Sequence, residues 1–186
     1  MTSQVSDSLR TDLPEVRENW LSQVIIRPLE ERDLPALEWD GEYTHFRRLF
    51  TDSFSRQRSG FSVLWVAELP GSGIIGQVFV QLICDRPELA DGLNRAYLYS
   101  FRVKAAYRSA GLGAKLLAVV ETDLENRHYN RMTLNVAKIN QRARQMYERH
   151  GFRVVAHEAG CWSYIDHEGN RRQVNEPAWR MEKKIT

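Results

Sequence analysis

Residues 108–114 combine an arginine with two glycines in a pattern that suits the binding of an anion. They read Arg108-Ser109-Ala110-Gly111-Leu112-Gly113-Ala114 and lie between an aromatic-rich run and an apolar run of helical period. Glycines let the backbone approach a ligand closely, and the first amides of a helix have no partner within it. Those amides and the helix dipole attract an anion, and Arg108 adds a fixed positive charge. The segment therefore predicts a phosphate site.

The common nucleotide-binding loops fit this segment poorly. A Walker loop ends in Gly-Lys-Ser/Thr, which is absent here. A Rossmann fingerprint needs glycine or alanine three positions after the second glycine, where Leu116 stands. A tight strand-to-helix turn without a ligand explains the glycines equally well, so this segment alone leaves both interpretations open.

A second group of residues lies further along the chain, in a stretch of helical period. Asn140, Ala143 and Tyr147 are spaced three and four apart, so they share one face of a helix. Asn140 suits the N-cap, and Ala143 allows a ligand to approach that face. Tyr147 taken by itself fits a tyrosine at the edge of the core.

Together the two segments resemble the GNAT superfamily of N-acetyltransferases, over residues 23 to 185. Its acetyl-CoA motif, Arg/Gln-x-x-Gly-x-Gly/Ala, is matched from Arg108 to Gly113, and its second motif is matched by Asn140-x-x-Ala143-x-x-x-Tyr147-x-x-x-Gly151-Phe152. Both occur in the family's order and at its separation. Two residues depart from the pattern, Ala105 where proline is usual and Ser109 where glycine is usual, and neither removes a hydrogen-bond donor.

The resemblance implies acetyl-CoA as a co-substrate and a role for each motif residue. The thioester and pantetheine arm would lie against the backbone of Phe101, Arg102 and Val103. The pyrophosphate would be bound by Arg108 and by the amides of Ser109, Ala110, Gly111, Leu112, Gly113 and Ala114. Asn140 would hydrogen-bond the pantetheine or pyrophosphate region, on the face that Ala143 leaves open. Tyr147 would be the general acid that protonates the coenzyme sulfur after direct attack by an amine.

The base that deprotonates the amine has no obvious candidate in the sequence. Many family members carry a glutamate on the strand before the pyrophosphate loop, but residues 95–103 contain no carboxylate. Glu68 is the nearest acid on a predicted strand, and its position along the chain does not place it in the site. We therefore predict that water, ordered by Tyr97, Tyr99 or Ser100, accepts the proton.

Composition restricts the class of protein. The 186 residues are 42% apolar and carry a net charge of +2 with acids and bases interspersed, which favours one folded domain without a nucleic-acid surface. Cys84 and Cys161 lack CxxC spacing and the five histidines lack ligand spacing, so no metal is expected. Cys161 is interpreted as a small buried thiol. With no signal peptide and no membrane-length apolar run, a cytoplasmic location is expected.

The pattern of strands and helices predicts an α/β fold, an α+β arrangement with a mixed sheet. The resemblance implies a central, mostly antiparallel sheet with helices on both faces. We divide the chain into a polar arm, 1–22, and one acetyltransferase domain, 23–186. Tyr97, Tyr99, Phe101 and Val103 alternate along one strand and are expected on one face. Strands are predicted at 24–28, 61–69, 74–83, 95–103, 132–137, 152–157, 162–165 and 179–185, and helices from 33, over 43–54, 111–127 and 140–150.

Two functions remain open, an N-acetyltransferase and a non-catalytic module that binds acyl-CoA and regulates a partner. The acceptor is an amine of unidentified origin, on a small molecule or a protein. We expect segments 39–54, 85–94 and 158–175 on its side of the molecule. Asp40, Glu42 and Asp52 could attract a cationic amine there, but a solvated helix face explains these charges better. A homodimer is predicted from an open sheet edge near Trp162, Tyr164 and Trp179.

Overall fold

A computed structural model describes residues 20–185, which form a seven-stranded sheet and a separate two-stranded hairpin. The large sheet has the order β1-β2-β3-β4-β5-β9-β6, and the hairpin pairs β7 with β8. Neighbouring strands are antiparallel except for the parallel pair β4–β5. The strands are β1 (Ile25–Pro28), β2 (Ser62–Leu69), β3 (Gly73–Gln81), β4 (Arg95–Val103), β5 (Arg131–Ala137), β6 (Arg153–Glu158), β7 (Cys161–Ile165), β8 (Arg171–Asn175) and β9 (Ala178–Lys184).

Helices cover both faces of the large sheet, as predicted. The α-helices are α1 (Arg47–Arg58), α2 (Leu112–Asn126) and α3 (Gln141–Arg149), and the 3-10 helices are Glu31–Gly41, Thr44–Phe46 and Ala105–Tyr107. Residues of α2 and α3 pack in one core cluster, and α1 with Glu31–Gly41 packs in a second. Side chains of β2 alternate between the two clusters. Val63 and Ala67 pack in the first, and Leu64 and Val66 pack in the second.

The apolar stripe predicted for the helix after the glycine loop is buried. Leu116, Leu117, Val120 and Leu124 are all at most 1% exposed. Their spacing of three and four residues places them on one face of α2, which packs on the sheet. Burial of each side chain contributes about 2 kcal/mol. This packing holds the start of α2 at a fixed position against β4.

A bulge in β4 overturns the prediction that Tyr97, Tyr99, Phe101 and Val103 share a face. Tyr99 pairs with Phe79 of β3, but Arg102 pairs with Gln77, so β4 carries one extra residue in between. Ser100 takes up the irregularity with φ of 50°. Tyr99 therefore joins the cluster under α1, whereas Phe101 and Val103 pack on the α2 side.

Two further local predictions were wrong, and a third was right only in part. The first helix forms, but as a 3-10 helix from Glu31 rather than from Asp33, and Trp39 and Asp40 near its end have φ of 45° and 57°. Strand β8 was missed because its sequence, Arg-Arg-Gln-Val-Asn, has no apolar alternation. Cys161 is exposed rather than buried.

The predicted N-terminal arm lies largely outside the described residues, which begin at Trp20. The ring of Trp20 meets Tyr107 edge-on at 5.1 Å between centroids. Lys115 of α2 donates to the carbonyl of Leu21 at 2.9 Å. The packing of the domain therefore includes Trp20 and Leu21. Over residues 20–185, the helices are too short or too polar to cross a membrane.

Candidate active site

The two parallel strands at the centre of the sheet separate part-way along their length. Residues 95–98 of β4 pair with 131–134 of β5, and the pairing ends at Leu98 and Leu134. Beyond that point β4 continues to Val103 and β5 to Ala137 without pairing to each other. The bulge at Ser100 lies directly past the last pair and redirects β4. The result is an opening edged by backbone, which suits an extended ligand.

The glycine loop begins at the far end of β4 and leads into α2. Gly111 is the N-cap residue, with φ of 96° and no side-chain hydrogen bond to the helix. The first amides of α2 therefore lack a side-chain cap, as an anion site requires. Ser109 has φ of 62°, the left-handed region that glycine adopts most readily, so a glycine would suit this position better. Arg108 is held at the end of β4 by its Nε, which donates to the carbonyl of Val103 at 2.8 Å.

The two sequence motifs meet in the structure. Arg142, in the first turn of α3, donates to Ser109 Oγ at 2.5 Å. Asn140 is the N-cap of α3, and its Oδ1 accepts from the amide of Ala143 at 3.1 Å. The carboxamide nitrogen of Asn140 is then the group left to donate to a ligand. The start of α3 thus lies beside the glycine loop, although 33 residues separate Arg142 from Ser109.

Tyr147 lies on the α2 side of the opening. Its side chain is 8% exposed and packs against the rings of Phe101 and Phe152, with centroids at 6.2 and 5.7 Å. Burial raises the pKa of Tyr147 well above its usual range. The hydroxyl is therefore protonated at physiological pH and can donate but not accept a proton. Gly151 follows the C-cap residue of α3 and has φ of 89°, so it stops the helix at the predicted position.

A cavity of about 770 Å³ opens on the other face of the sheet, beneath α1. Tyr97 and Tyr99 stack along one wall at 6.0 Å, and the Tyr99 hydroxyl donates to Ser53 Oγ of α1 at 3.0 Å. Burial raises the pKa of Tyr97 to about 12. Ser100 and Asn135 line the cavity where β4 and β5 separate. Its aromatic walls are formed by Phe46, Phe50, Phe79, Tyr97, Tyr99 and Trp162.

Charged side chains line the same cavity. Glu158 is bound by Arg86 at 2.8 Å and by Arg180 at 3.2 Å, so this carboxylate is already paired. Asp52 and Glu176 also face the cavity, and neither forms an ion pair with another residue between 20 and 185. The cavity therefore offers unpaired carboxylates to an approaching cation.

A model of a known family, described as the acetyltransferase (GNAT) family, matches residues 25–152, more than half of the chain. The chain belongs to the GNAT family. One relative is an uncharacterized N-acetyltransferase of Bacillus subtilis (strain 168), YycN, 26% identical over 107 residues. That match covers 57% of this chain and 65% of YycN, so the chain spans just under two thirds of the length of that relative.

Solved GNAT structures share the fold at low sequence identity. The ribosomal-protein-S18-alanine N-acetyltransferase of Escherichia coli has a TM-score of 0.65 and 22% identity, covering 88% of this chain and 94% of that one. Ard1 of Thermoplasma volcanium has a TM-score of 0.67 and 15% identity, with coverage of 88% and 99%. Spermidine/spermine N-acetyltransferase SpeG of Vibrio cholerae has a TM-score of 0.65 and 19% identity, with coverage of 89% and 95%. At these identities the likeness concerns the fold alone.

The GNAT motif residues lie on one side of the opening, and the three predicted acceptor-side segments supply walls on the other. Segment 39–54 contributes through α1, 85–94 through Arg86 and Leu89, and 158–175 through the residues around Trp162.

Arg108 additionally lines a smaller cavity of about 350 Å³, together with Lys104 and the acids Asp40 and Glu42. Among residues 20–185, no group of three or more His, Cys, Asp or Glu side chains could hold a metal ion.

Glu68 is not in this site. It lies on β2, two strands from β4, and accepts a hydrogen bond from Arg27 Nε at 2.9 Å. The carboxylates that sequence reasoning missed are Glu158, at the end of β6, and Glu176, between β8 and β9. They reach the cavity because β9 inserts between β5 and β6, a long-range pairing that no local spacing in the sequence reveals.

Proposed function

We propose that this GNAT protein transfers an acetyl group from acetyl-CoA to an amine that enters the cavity beneath α1. The observation that carries the proposal is the separation of β4 and β5 beyond Leu98 and Leu134. The uncapped start of α2 lies on one side of this opening, and the aromatic cavity lies on the other. A ligand that spans the opening would present its reactive end to the cavity.

The residues of the loop fit the anionic part of acetyl-CoA. Helix α2 has 15 residues and starts without a side-chain cap, so its first amides and its dipole favour a pyrophosphate there. The backbone of Phe101, Arg102 and Val103 would hold the pantetheine arm, and the Asn140 carboxamide would donate to it. When bound, acetyl-CoA supplies an activated acetyl thioester. A backbone N–H near the bulge at Ser100 would stabilise the oxyanion that develops on amine attack.

Tyr147 would protonate the sulfur as the thiolate leaves. Its raised pKa keeps the hydroxyl protonated, while the same shift makes it a weaker acid than an exposed tyrosine. A thiol has an ordinary pKa of about 8.5, so proton transfer from the Tyr147 hydroxyl to the departing thiolate is uphill. The packing of its ring against Phe101, a residue of the bulged strand, fixes the hydroxyl relative to the opening.

Water would accept the proton of the amine. Tyr97, with a pKa of about 12, remains neutral at physiological pH and can orient water without taking the proton itself. Glu158 is held in ion pairs with Arg86 and Arg180, so its carboxylate is already occupied by these two partners. Glu176 is the carboxylate that competes with water for this role, since it faces the cavity without an ion-pair partner among the described residues.

The transfer itself is tested with acetyl-CoA and a panel of primary amines. We expect free thiol to appear in proportion to acetylated amine, with both quantified in the same reaction by a thiol reagent and by mass spectrometry. Thiol release without an acetylated product would indicate hydrolysis only. Tight acetyl-CoA binding with no turnover on any small amine or amine-bearing peptide would favour the alternative, a non-catalytic acyl-CoA-binding regulator.

A further inference from the structure

Arg102 presents its side chain to the cavity beneath α1. The bulge at Ser100 places Arg102 on the face that also carries Tyr99, and its side chain lines the cavity beneath α1. The guanidinium lies 4.0 Å from the centre of the Tyr43 ring and 5.3 Å from that of Phe46. These cation–π contacts hold the charged group against the aromatic wall.

The charge of Arg102 has no anionic partner within residues 20–185. Its Nη1 is buried and makes no hydrogen bond, and no carboxylate of this part of the chain forms an ion pair with it. Burial lowers the pKa of Arg102, while the charges of Tyr43 and Glu42 act in the opposite direction. Arginine remains charged at neutral pH despite such a shift. A buried, unpaired charge is unfavourable unless a ligand supplies the counter-charge.

A second unsatisfied group lies at the other end of the cavity. Asn135 is the first residue of β5 beyond the paired stretch, and its Oδ1 is buried without a donor. A carbonyl oxygen in that position accepts an N–H, and the opening between β4 and β5 is where the amine must react. Asn135 follows the pair Leu98–Leu134, so it lies level with Tyr99. Arg102 lies opposite Gln77 and Tyr99 opposite Phe79, so the bulge leaves Arg102 two register positions further along the sheet, roughly 7 Å at about 3.3 Å per residue.

We propose that the acceptor is a small amine that also carries an acidic group, a carboxylate or a phosphonate, which Arg102 binds while Asn135 receives the amine. This inference rests on the proposed acetyl transfer, since it identifies the acceptor of that same site. The aromatic walls suit an apolar body between the two ends, and the volume of about 770 Å³ suits a small molecule. The exposed carboxylates Asp52 and Glu176 lie in contact with solvent, where their repulsion of an acid is screened.

Calorimetric titration of the protein saturated with CoA tests this inference without requiring turnover. The ligands share one skeleton: para-(aminomethyl)benzoate, para-(aminomethyl)phenylphosphonate, para-(aminomethyl)benzamide and para-bis(aminomethyl)benzene. We expect at least one of the two acids to bind tenfold or more tightly than the amide, and the diamine to bind most weakly. The order of the carboxylate and the phosphonate identifies which acid the site prefers.

Variants of Arg102 separate its charge from its bulk. We expect Arg102→Gln to abolish the preference for the acids while changing amide binding less than threefold, and Arg102→Lys to retain part of it. Arg58→Gln is the matched control, because Arg58 lies at the exposed end of α1 and does not line the cavity. It should behave as the parent.

Three results would overturn the inference: an amide or diamine that binds as tightly as both acids, no binding of either acid, or an acid preference that persists in Arg102→Gln. If Arg102→Gln does not fold, the ligand order of the parent and of Arg102→Lys decides. CoA binding is measured first, so a failure of the proposed acetyl transfer at its cofactor step is distinguished from a failure of the acceptor assignment alone.

Discussion

Tyr147 combines a buried ring with a hydroxyl whose pKa is raised by that burial. We expect Tyr147→Phe to lower kcat about 100-fold with little change in CoA affinity, because only the proton donor is removed. The raised pKa also implies that deprotonation of Tyr147 causes no loss of rate below about pH 10. Rapid-quench kinetics under single-turnover conditions would measure the chemical step. An unchanged single-turnover rate would exclude Tyr147 as the acid.

The pH dependence of the rate identifies the group that accepts the proton of the amine. With water as the acceptor of the proton, kcat/KM for the amine should rise with pH toward the pKa of that amine, in the parent and in Glu176→Gln alike. A carboxylate base would add an inflection from about pH 5 to 7. Glu68→Gln is the matched control, because Glu68 pairs with Arg27 outside the cavity. A low inflection that disappears only in Glu176→Gln, with a large fall in rate, would establish Glu176 as the base.

At the level of residues, the sequence reveals those parts of the site that depend on local spacing. The spacing of Asn140, Ala143 and Tyr147 predicted one helix, and in the structure Ala143 and Tyr147 lie four residues apart on α3 with Asn140 as its N-cap. The glycine loop likewise lies within seven consecutive residues. Asn135 and Glu176 could not be assigned in this way, because strand separation and the insertion of β9 bring them to the cavity.

We propose that acetyl-CoA binding depends on the start of α2. Gly111 has φ of 96°, so any side chain there costs about 1 kcal/mol or more of stability. We expect Gly111→Glu to weaken CoA binding at least tenfold beyond Gly111→Gln, since only the carboxylate repels a pyrophosphate. Thermal unfolding of both variants measures the shared strain, and calorimetry measures the difference in affinity. Equal affinity in the two variants would mean that the loop is only a turn.

The β7–β8 hairpin depends on the carboxylate of Asp166 in its turn. Burial opposes ionisation, but hydrogen bonds from the amides of Asn170 and Glu168 and from Arg172 prevail and hold the pKa of Asp166 at about 2. A depressed pKa contributes stability above the unfolded value of about 3.9, and this contribution is lost as the pH falls toward 2.

We therefore expect the hairpin to persist down to about pH 4 and to loosen between about pH 4 and 2. Asp166→Asn should loosen it already at neutral pH, with little further acid dependence. Fluorescence of Trp162, which lies on β7, reports the change, and replacement of the other tryptophans by phenylalanine would isolate its signal. A parent signal that is flat from pH 7 to 2 would contradict the role of Asp166.

At the level of elements, prediction succeeded where one face of an element is apolar and failed where the backbone departs from regularity. The stripe on α2 predicted its buried face correctly. The bulge at Ser100 has no such signal, because nothing in the sequence distinguishes this serine, which has φ of 50°, from a serine in a regular strand. That bulge decides which side chains of β4 face the cavity beneath α1, so the position of Arg102 emerged only from the structure.

The homodimer remains a prediction for the molecule as a whole. Two of the three aromatic residues that suggested it are engaged within the chain: Tyr164 packs on Phe46 at 5.0 Å, and Trp179 lies under Lys138 at 4.1 Å. The edges of the large sheet are β1 and β6, and Val154 and Val155 are exposed on β6. We therefore predict that a dimer would form through β6 rather than through the aromatic residues.

The whole fold holds the glycine loop on one side of the separated strands and the aromatic cavity on the other. We propose that acetyl-CoA occupies the opening between them. Titration of acetyl-CoA into the folded protein, followed by isothermal calorimetry, tests it most directly. We predict binding in the micromolar range and a rise in Tm that grows with ligand concentration. A folded sample that gives no binding heat and no change in Tm with acetyl-CoA or CoA would contradict the account.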